Sequence, residues 1–197
     1  MSYFSLLYLG IFSLIISVLS FFNIVYSYYF NFYLNLDCYI YSLLVSLFLG
    51  LFFLIKKKDT YKISIYHKIL TVISGYLILP LIISIPYYLS IYNISLLDSY
   101  FESISGFTST GFTIFNNIKH IDESLILWRS SSQWIGGLYF LISIVLLIDI
   151  FDNNLKKSLT NFLSFNTSET LKQSSKIFIL YVSLTFAIFL ILKIFEF

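Results

Sequence analysis

Long apolar runs separated by short polar breaks dominate this chain, and their lengths predict membrane-spanning helices. A helix crossing hydrocarbon needs about 20 largely apolar residues, because that layer is roughly 30 Å thick and each residue rises about 1.5 Å. Five runs meet or approach this length: Tyr3 to Val25, Cys38 to Ile55, a run inside Ile69 to Leu97, Ser130 to Ile148, and Ile177 to Leu192. The second ends sharply at Lys56-Lys57-Lys58-Asp59. The third contains Pro80 and Pro86, which are expected to kink it. The fifth is short, but Lys176 and Lys193 flank it and can snorkel. No basic stretch precedes the first run, which stays uncharged from Met1 to Leu36; that is too long for a cleaved signal and reads as a retained helix.

One segment breaks the pattern. Asp98 to Lys119 is too rich in Ser, Thr and Gly to face lipid, yet it lies between two good spans. Irregular backbone at membrane depth is tolerated where protein buries it or a watery cavity receives it, so a re-entrant loop is expected here. Ser95, with Asp98 three residues on, predicts a helix start of the capping-box kind, and about three turns of helix follow to near Gly106. Leu97, Tyr100, Phe101, Ile104 and Phe107 recur at three- and four-residue spacing, predicting that this apolar side packs against protein.

Composition changes the picture in one direction. The 197 residues are 58% hydrophobic and only 11% charged, with a mean hydropathy of +0.87. A soluble domain carries about 25% charged residues, so lipid is the solvent that fits. A net charge of +2 is too small to argue for nucleic acid. A lone cysteine, Cys38, excludes an internal disulfide, and His67 and His120 have no cysteine near them for a zinc site.

Charge placement predicts orientation. Lys56, Lys57, Lys58, Lys62 and Lys68 follow the second span, and Lys156, Lys157, Lys172 and Lys176 lie between the fourth and fifth. These nine of the twelve basic residues share one side if the re-entrant segment returns to the side it left. That side is the cytoplasm by the positive-inside rule, which places the N-terminus inside and the 98–129 loop outside; the membrane expected is the plasma (inner) membrane. Trp128 and Trp134 then read as outer-interface residues.

The segment Thr108-Ser109-Thr110-Gly111-Phe112 suits a cation pathway. A dehydrating potassium ion needs carbonyl oxygens in place of its water shell. Small hydroxylated residues before a glycine let the backbone extend with its oxygens toward an axis, and Gly111 is free to take positive φ. A half-helix ending inside the membrane also points its negative dipole end at the cavity.

The blocks Phe101-Glu-Ser-Ile-Ser-Gly-Phe-Thr-Ser-Thr-Gly-Phe112 and Leu127-Trp-Arg-Ser-Ser-Ser-Gln-Trp-Ile-Gly-Gly137 resemble the first pore repeat of TrkH/KtrB (Trk/Ktr/HKT) potassium transporters. Glu169 to Lys176 is similar to the approach to a second repeat. The resemblance implies an all-α integral membrane protein with five transmembrane helices, one re-entrant pore helix and a filter loop. It implies two N-terminal helices over 1–60, a first helix–pore loop–helix repeat over 61–155, and a cytoplasmic linker with the first helix of an incomplete second repeat over 156–197. It also implies a filter at Thr108, Ser109, Thr110, Gly111 and Phe112, with K+ on the carbonyls of Ser109, Thr110 and Gly111. Glycine at position 111 goes with potassium in that family, and serine in some relatives with sodium. Four repeats surround one pore there, so the expected partners are the remaining repeats (in one longer chain, a split partner or a homo-oligomer), membrane lipid, and a cytosolic nucleotide-binding regulatory subunit. No cofactor and no enzymatic activity are implied. Gly137-Leu-Tyr-Phe140 departs from the more glycine- and methionine-rich run usual in that family.

Other residues carry two readings each. Glu102 is either an ion-binding carboxylate or a buried acid bonded to loop backbone in support of the pore helix. Arg129 reads as an interfacial anchor in preference to an electrostatic barrier at the pore mouth. Gly136-Gly137 permits close helix approach. Asp149 and Asp152 read as solvated interface rather than a metal site. The alternatives to transport are a non-conducting membrane scaffold and a membrane-embedded enzyme on lipid-linked substrates, for which the chain offers only scattered acids and histidines.

Overall fold

A computed structural model describes residues 3–55, 65–115, 121–147 and 170–195. The lysines at 56–58, 62 and 156–157, together with His120, Asp149 and Asp152, lie outside the described residues. Every regular element among the described residues is a helix: α1 Tyr3–Tyr29, α2 Leu36–Leu54, α3 Ile65–Leu89, α4 Leu96–Phe107, α5 Glu123–Leu147 and α6 Thr170–Phe195. Five of them, all but α4, are long and apolar enough to cross a membrane. At 12 residues, α4 is about 18 Å long and too short to cross. Both prolines of α3 fall inside one continuous helix.

Contacts divide the chain into two compact units, Met1–Gly137 and Leu138–Phe197. In the first, α1 and α2 approach closely because neither has a side chain at the crossing. A Cβ on Gly10 would lie 3.1 Å from the Gly50 carbonyl oxygen, and one on Gly50 would lie 2.7 Å from Leu14 Cδ2. Small residues at such crossings replace the hydrophobic drive that lipid removes. Hydroxyl pairs reinforce the packing: Ser20 donates to Ser42 at 3.1 Å between α1 and α2, and Ser5 and Thr71 meet at 2.8 Å between α1 and α3.

Trp128 corrects the interfacial expectation. It is buried, its indole Nε1 donates to the Ile83 carbonyl at 3.1 Å, and its ring lies 6.0 Å from that of Tyr39. The indole therefore ties α2, α3 and α5 together, and its N–H finds a partner inside protein as a buried tryptophan requires.

A polar knot closes the end of this unit where α2 begins. Asn35 Nδ2 donates to Asp122 Oδ2 at 2.9 Å, and Asn35 Oδ1 accepts from the Ile91 N–H at 3.1 Å. The Asp122 N–H donates to the Tyr92 hydroxyl at 2.7 Å. The chain thus leaves α3 and joins α5 at neighbouring points, with α4 and the Thr108 to Phe115 stretch between them.

In the second unit, α6 carries the apolar span Ser174–Phe195. Ser183 and Thr185 return their hydroxyls to the Leu180 and Tyr181 carbonyls, 2.9 and 2.8 Å away, which hides polarity on an otherwise apolar helix.

Candidate functional site

Helix α4 starts as its sequence predicts. The Asp98 N–H donates to Ser95 Oγ at 3.1 Å, and the Ser95 hydroxyl donates to Asp98 Oδ2 at 2.7 Å. The buried face of α4 is only partly the expected one: of the apolar stripe, Phe107 is buried and Tyr100 and Ile104 are half-buried. Ser99, Glu102, Ser103, Ser105, Gly106 and Phe107 are buried, while Leu97 and Phe101 are exposed. The expectation followed water logic, in which the apolar stripe must hide. In a membrane protein, apolar side chains are at home outside, and the small and charged residues need protein partners. Ser99 and Ser103 bond the carbonyls of Ser95 and Ser99, one turn back, and so present little polarity themselves.

The helix ends in paired reverse hydrogen bonds. Ser109 N–H donates to the Gly106 carbonyl at 2.9 Å and Thr110 N–H to the Ser105 carbonyl at 3.0 Å, the Schellman arrangement. That motif needs a left-handed residue after the cap, and Ser109 supplies it at φ 56° without being glycine. Gly111 follows at φ 83°, the positive φ that its lack of a Cβ allows. Two left-handed residues in three turn the chain out of helix. The carbonyl oxygens of Thr108, Ser109 and Thr110 accept no hydrogen bond among the described residues, and all three residues are exposed.

The return strand is held from behind. Glu102, fully buried, accepts the Ile114 N–H on Oε2 at 3.0 Å and the Thr113 hydroxyl on Oε1 at 3.2 Å. Between its two sequence readings, this is the geometry of loop support. Ser105 Oγ donates to the Phe112 carbonyl at 2.6 Å.

Arg129 corrects its sequence reading as an interfacial anchor. Its side chain is only 12% exposed, and Nε lies 3.0 Å from Glu102 Oε1. Nη2 donates to the Gly111 and Phe112 carbonyls at 3.3 and 3.2 Å. A charge on a span pairs inward rather than face lipid, and Glu102 is the anion within reach. Of the three oxygens assigned to the ion by resemblance, those of Ser109 and Thr110 accept no hydrogen bond among the described residues, and that of Gly111 carries a guanidinium. Ser105 and Thr113 carry no signal in the sequence, and Arg129, read there as an anchor, joins them at the loop. The legible signal for the pairing was an acid and a base, Glu102 and Arg129, in neighbouring segments between the charged breaks.

Breaking this pair has a predictable cost. Removing one partner of a buried ion pair strands the other charge, at about 3–5 kcal/mol. Glu102→Ala is expected to lower the apparent melting temperature of the detergent-solubilised protein, whereas Glu102→Gln with Arg129→Gln loses less. Equal losses in the two variants would show that the charge pairing does not hold the loop.

Depth follows from the neighbours of Phe107. Its backbone lies against Gly136, where an added Cβ would overlap the Phe107 carbonyl oxygen and sit 2.6 Å from its carbonyl carbon. Its ring makes an edge contact with Tyr76 at 5.7 Å. Gly136 lies thirteen residues into α5 and Tyr76 thirteen residues before the end of α3, each about 20 Å along its helix from the Asn35 knot. The C-terminal end of α4 thus lies against the middle of α3 and of α5.

Comparison with known proteins gives consistent matches. The family model TrkH, described as "Cation transport protein", matches residues 36–196. An uncharacterized cation transporter of Methanocaldococcus jannaschii is 34% identical over 112 residues, covering 56% of this chain and 24% of that protein. The Trk system potassium uptake protein TrkI of Halomonas elongata is 37% identical over 70 residues, covering 36% and 13%. The crystal structure of the potassium transporter TrkH from Vibrio parahaemolyticus superposes with a TM-score of 0.65 at 20% identity, over 93% of this chain and 38% of that one. The chain thus matches about a quarter of the length of the first of these relatives and well under half of the solved transporter.

Proposed function

Since the chain belongs to the TrkH family of cation transport proteins, we propose that it supplies one pore repeat of a potassium-uptake pathway, with the filter at Thr108, Ser109, Thr110, Gly111 and Phe112. The family is one of multi-pass membrane transporters and not of enzymes. The observation that carries the reading is the loop itself. Its return segment is pinned by Glu102, Arg129 and Ser105, while the carbonyls of Thr108, Ser109 and Thr110 meet no donor among the described residues at an exposed edge. Such oxygens can replace the water of a monovalent cation. In this reading α4 re-enters the membrane from the outer side, supported by the 20 Å estimate of its depth and by the meeting of Tyr92 with Asp122.

Gly111 shapes the turn, and the ion is met chiefly by the Ser109 and Thr110 oxygens. Residues 1–60 form an N-terminal helix pair, 61–155 the repeat, and 156–197 the lead into another. One strand cannot close a ring, so the partners are further repeats around a shared axis, with a cytosolic nucleotide-binding subunit as regulator. The N-terminus is cytoplasmic and the filter loop faces outside.

The test is growth of a strain lacking its own potassium uptake. A transporter carrying this chain with its remaining repeats should restore growth at low external potassium and take up Rb+, and the chain alone should not. No uptake by the completed transporter would end the transport reading; rescue by the 197 residues alone would end the claim that other repeats come from elsewhere.

A further inference from the structure

We propose that Arg129 is a tethered cation that fills what would otherwise be a divalent-cation site, and so keeps this stretch of the pathway for monovalent ions. The inference rests on the transport reading and adds a specificity-determining residue to it.

Three oxygens converge on one guanidinium: Glu102 Oε1 at 3.0 Å from Nε, and the Gly111 and Phe112 carbonyls at 3.3 and 3.2 Å from Nη2. Without the guanidinium, the same place holds a carboxylate and two main-chain carbonyls. That is the donor set that hard divalent cations prefer, with water completing the shell. A potassium ion needs no full negative charge, only neutral oxygens, and those are offered by Thr108 to Thr110 in the residues just before Gly111. A buried carboxylate left unpaired would hold a doubly charged ion far longer than conduction tolerates. Arginine suits the task because it stays charged at every relevant pH and its planar fork reaches several oxygens at once. A purely structural tie would serve equally well with any donor bonding the loop, and it predicts no change in ion discrimination when the charge is removed.

The readout is Rb+ uptake by the completed transporter, with external Mn2+ as the divalent probe. Arg129→Gln is expected to lower the Mn2+ concentration that halves uptake by about tenfold or more, since a unit charge acts at close range in a poorly solvated site. Adding Glu102→Gln should return that concentration to the wild-type value, because the anion is gone while the loop bonds stay no better. Arg129→Lys should shift it less and in the same direction, as one ammonium cannot bridge all three oxygens; it carries the test should Arg129→Gln not reach the membrane. Wild-type Mn2+ sensitivity in whichever single variant accumulates, or undiminished sensitivity in the double variant, overturns the proposal. Absence of Rb+ uptake by the unaltered transporter is a different result and overturns the transport reading instead.

Discussion

Gly136→Ala is expected to destabilise this protein more than any other single methyl group added to its first unit. The new Cβ would overlap the Phe107 carbonyl oxygen and stand 2.6 Å from the carbonyl carbon and 2.8 Å from Cα. These are backbone atoms at the end of α4, so no flexible side chain can swing aside, and either α4 or α5 must move bodily. Overpacking ordinarily costs about 1–3 kcal/mol, and a clash with main chain belongs at or above the top of that range. The apparent melting temperature in detergent should fall by about 5–15 °C, and Gly136→Val should fall further. Because Phe107 immediately precedes the proposed filter, Rb+ uptake by the completed transporter should fall with it. An unchanged melting temperature in Gly136→Val would mean that the two helices do not approach as described.

Gly111→Val should do the opposite: leave the protein intact and stop the ions. Among the described residues, nothing lies within 4 Å of a Cβ built on Gly111, so there is room for the side chain. The obstacle is the backbone, at φ 83°. A left-handed conformation costs an ordinary L-residue about 1–2 kcal/mol, and a β-branched one more. The relief is local, a rotation of the peptide to negative φ, which carries the Thr110 carbonyl away from the axis it is proposed to face. Membrane abundance and melting temperature should match the wild type within error, while Rb+ uptake falls by about tenfold or more, the flux equivalent of some 1.4 kcal/mol. Gly111→Ala should fall between. Wild-type uptake by Gly111→Val would remove the filter from this loop. The pair of glycines separates two reasons for lacking a side chain, since one has no room for it and the other no conformation.

Both results bear on Ser109, which takes φ 56° as a serine. Its cost is met by the Schellman bonds from Ser109 and Thr110 to the Gly106 and Ser105 carbonyls, so the strain is held in place by the helix end. Sequence inspection places the special conformation at Gly111 and passes over Ser109, because serine, unlike glycine or asparagine, carries no signal for positive φ.

How far the primary structure determines this molecule can be read from particular residues. Run length alone places five spans, since the bilayer sets one length scale and charged breaks such as Lys56 to Asp59 end the runs. The Ser95 cap, the shortness of α4 and the turn at Gly111 are likewise local properties, written in side-chain chemistry and backbone freedom over a few residues. Directions are not local. Leu97 and Phe101 face outward, Ser103 inward, Trp128 into the core and Arg129 onto the loop, each against the expectation that hydrophobic periodicity or interfacial preference suggests. In water the apolar stripe of a helix names its buried side; in lipid both sides are apolar and the stripe names nothing. Only the packed helices decide, by offering Gly136 as a place for Phe107 and Glu102 as a counter-charge for Arg129, because close fit and charge pairing exist only between segments that the chain brings together from a distance.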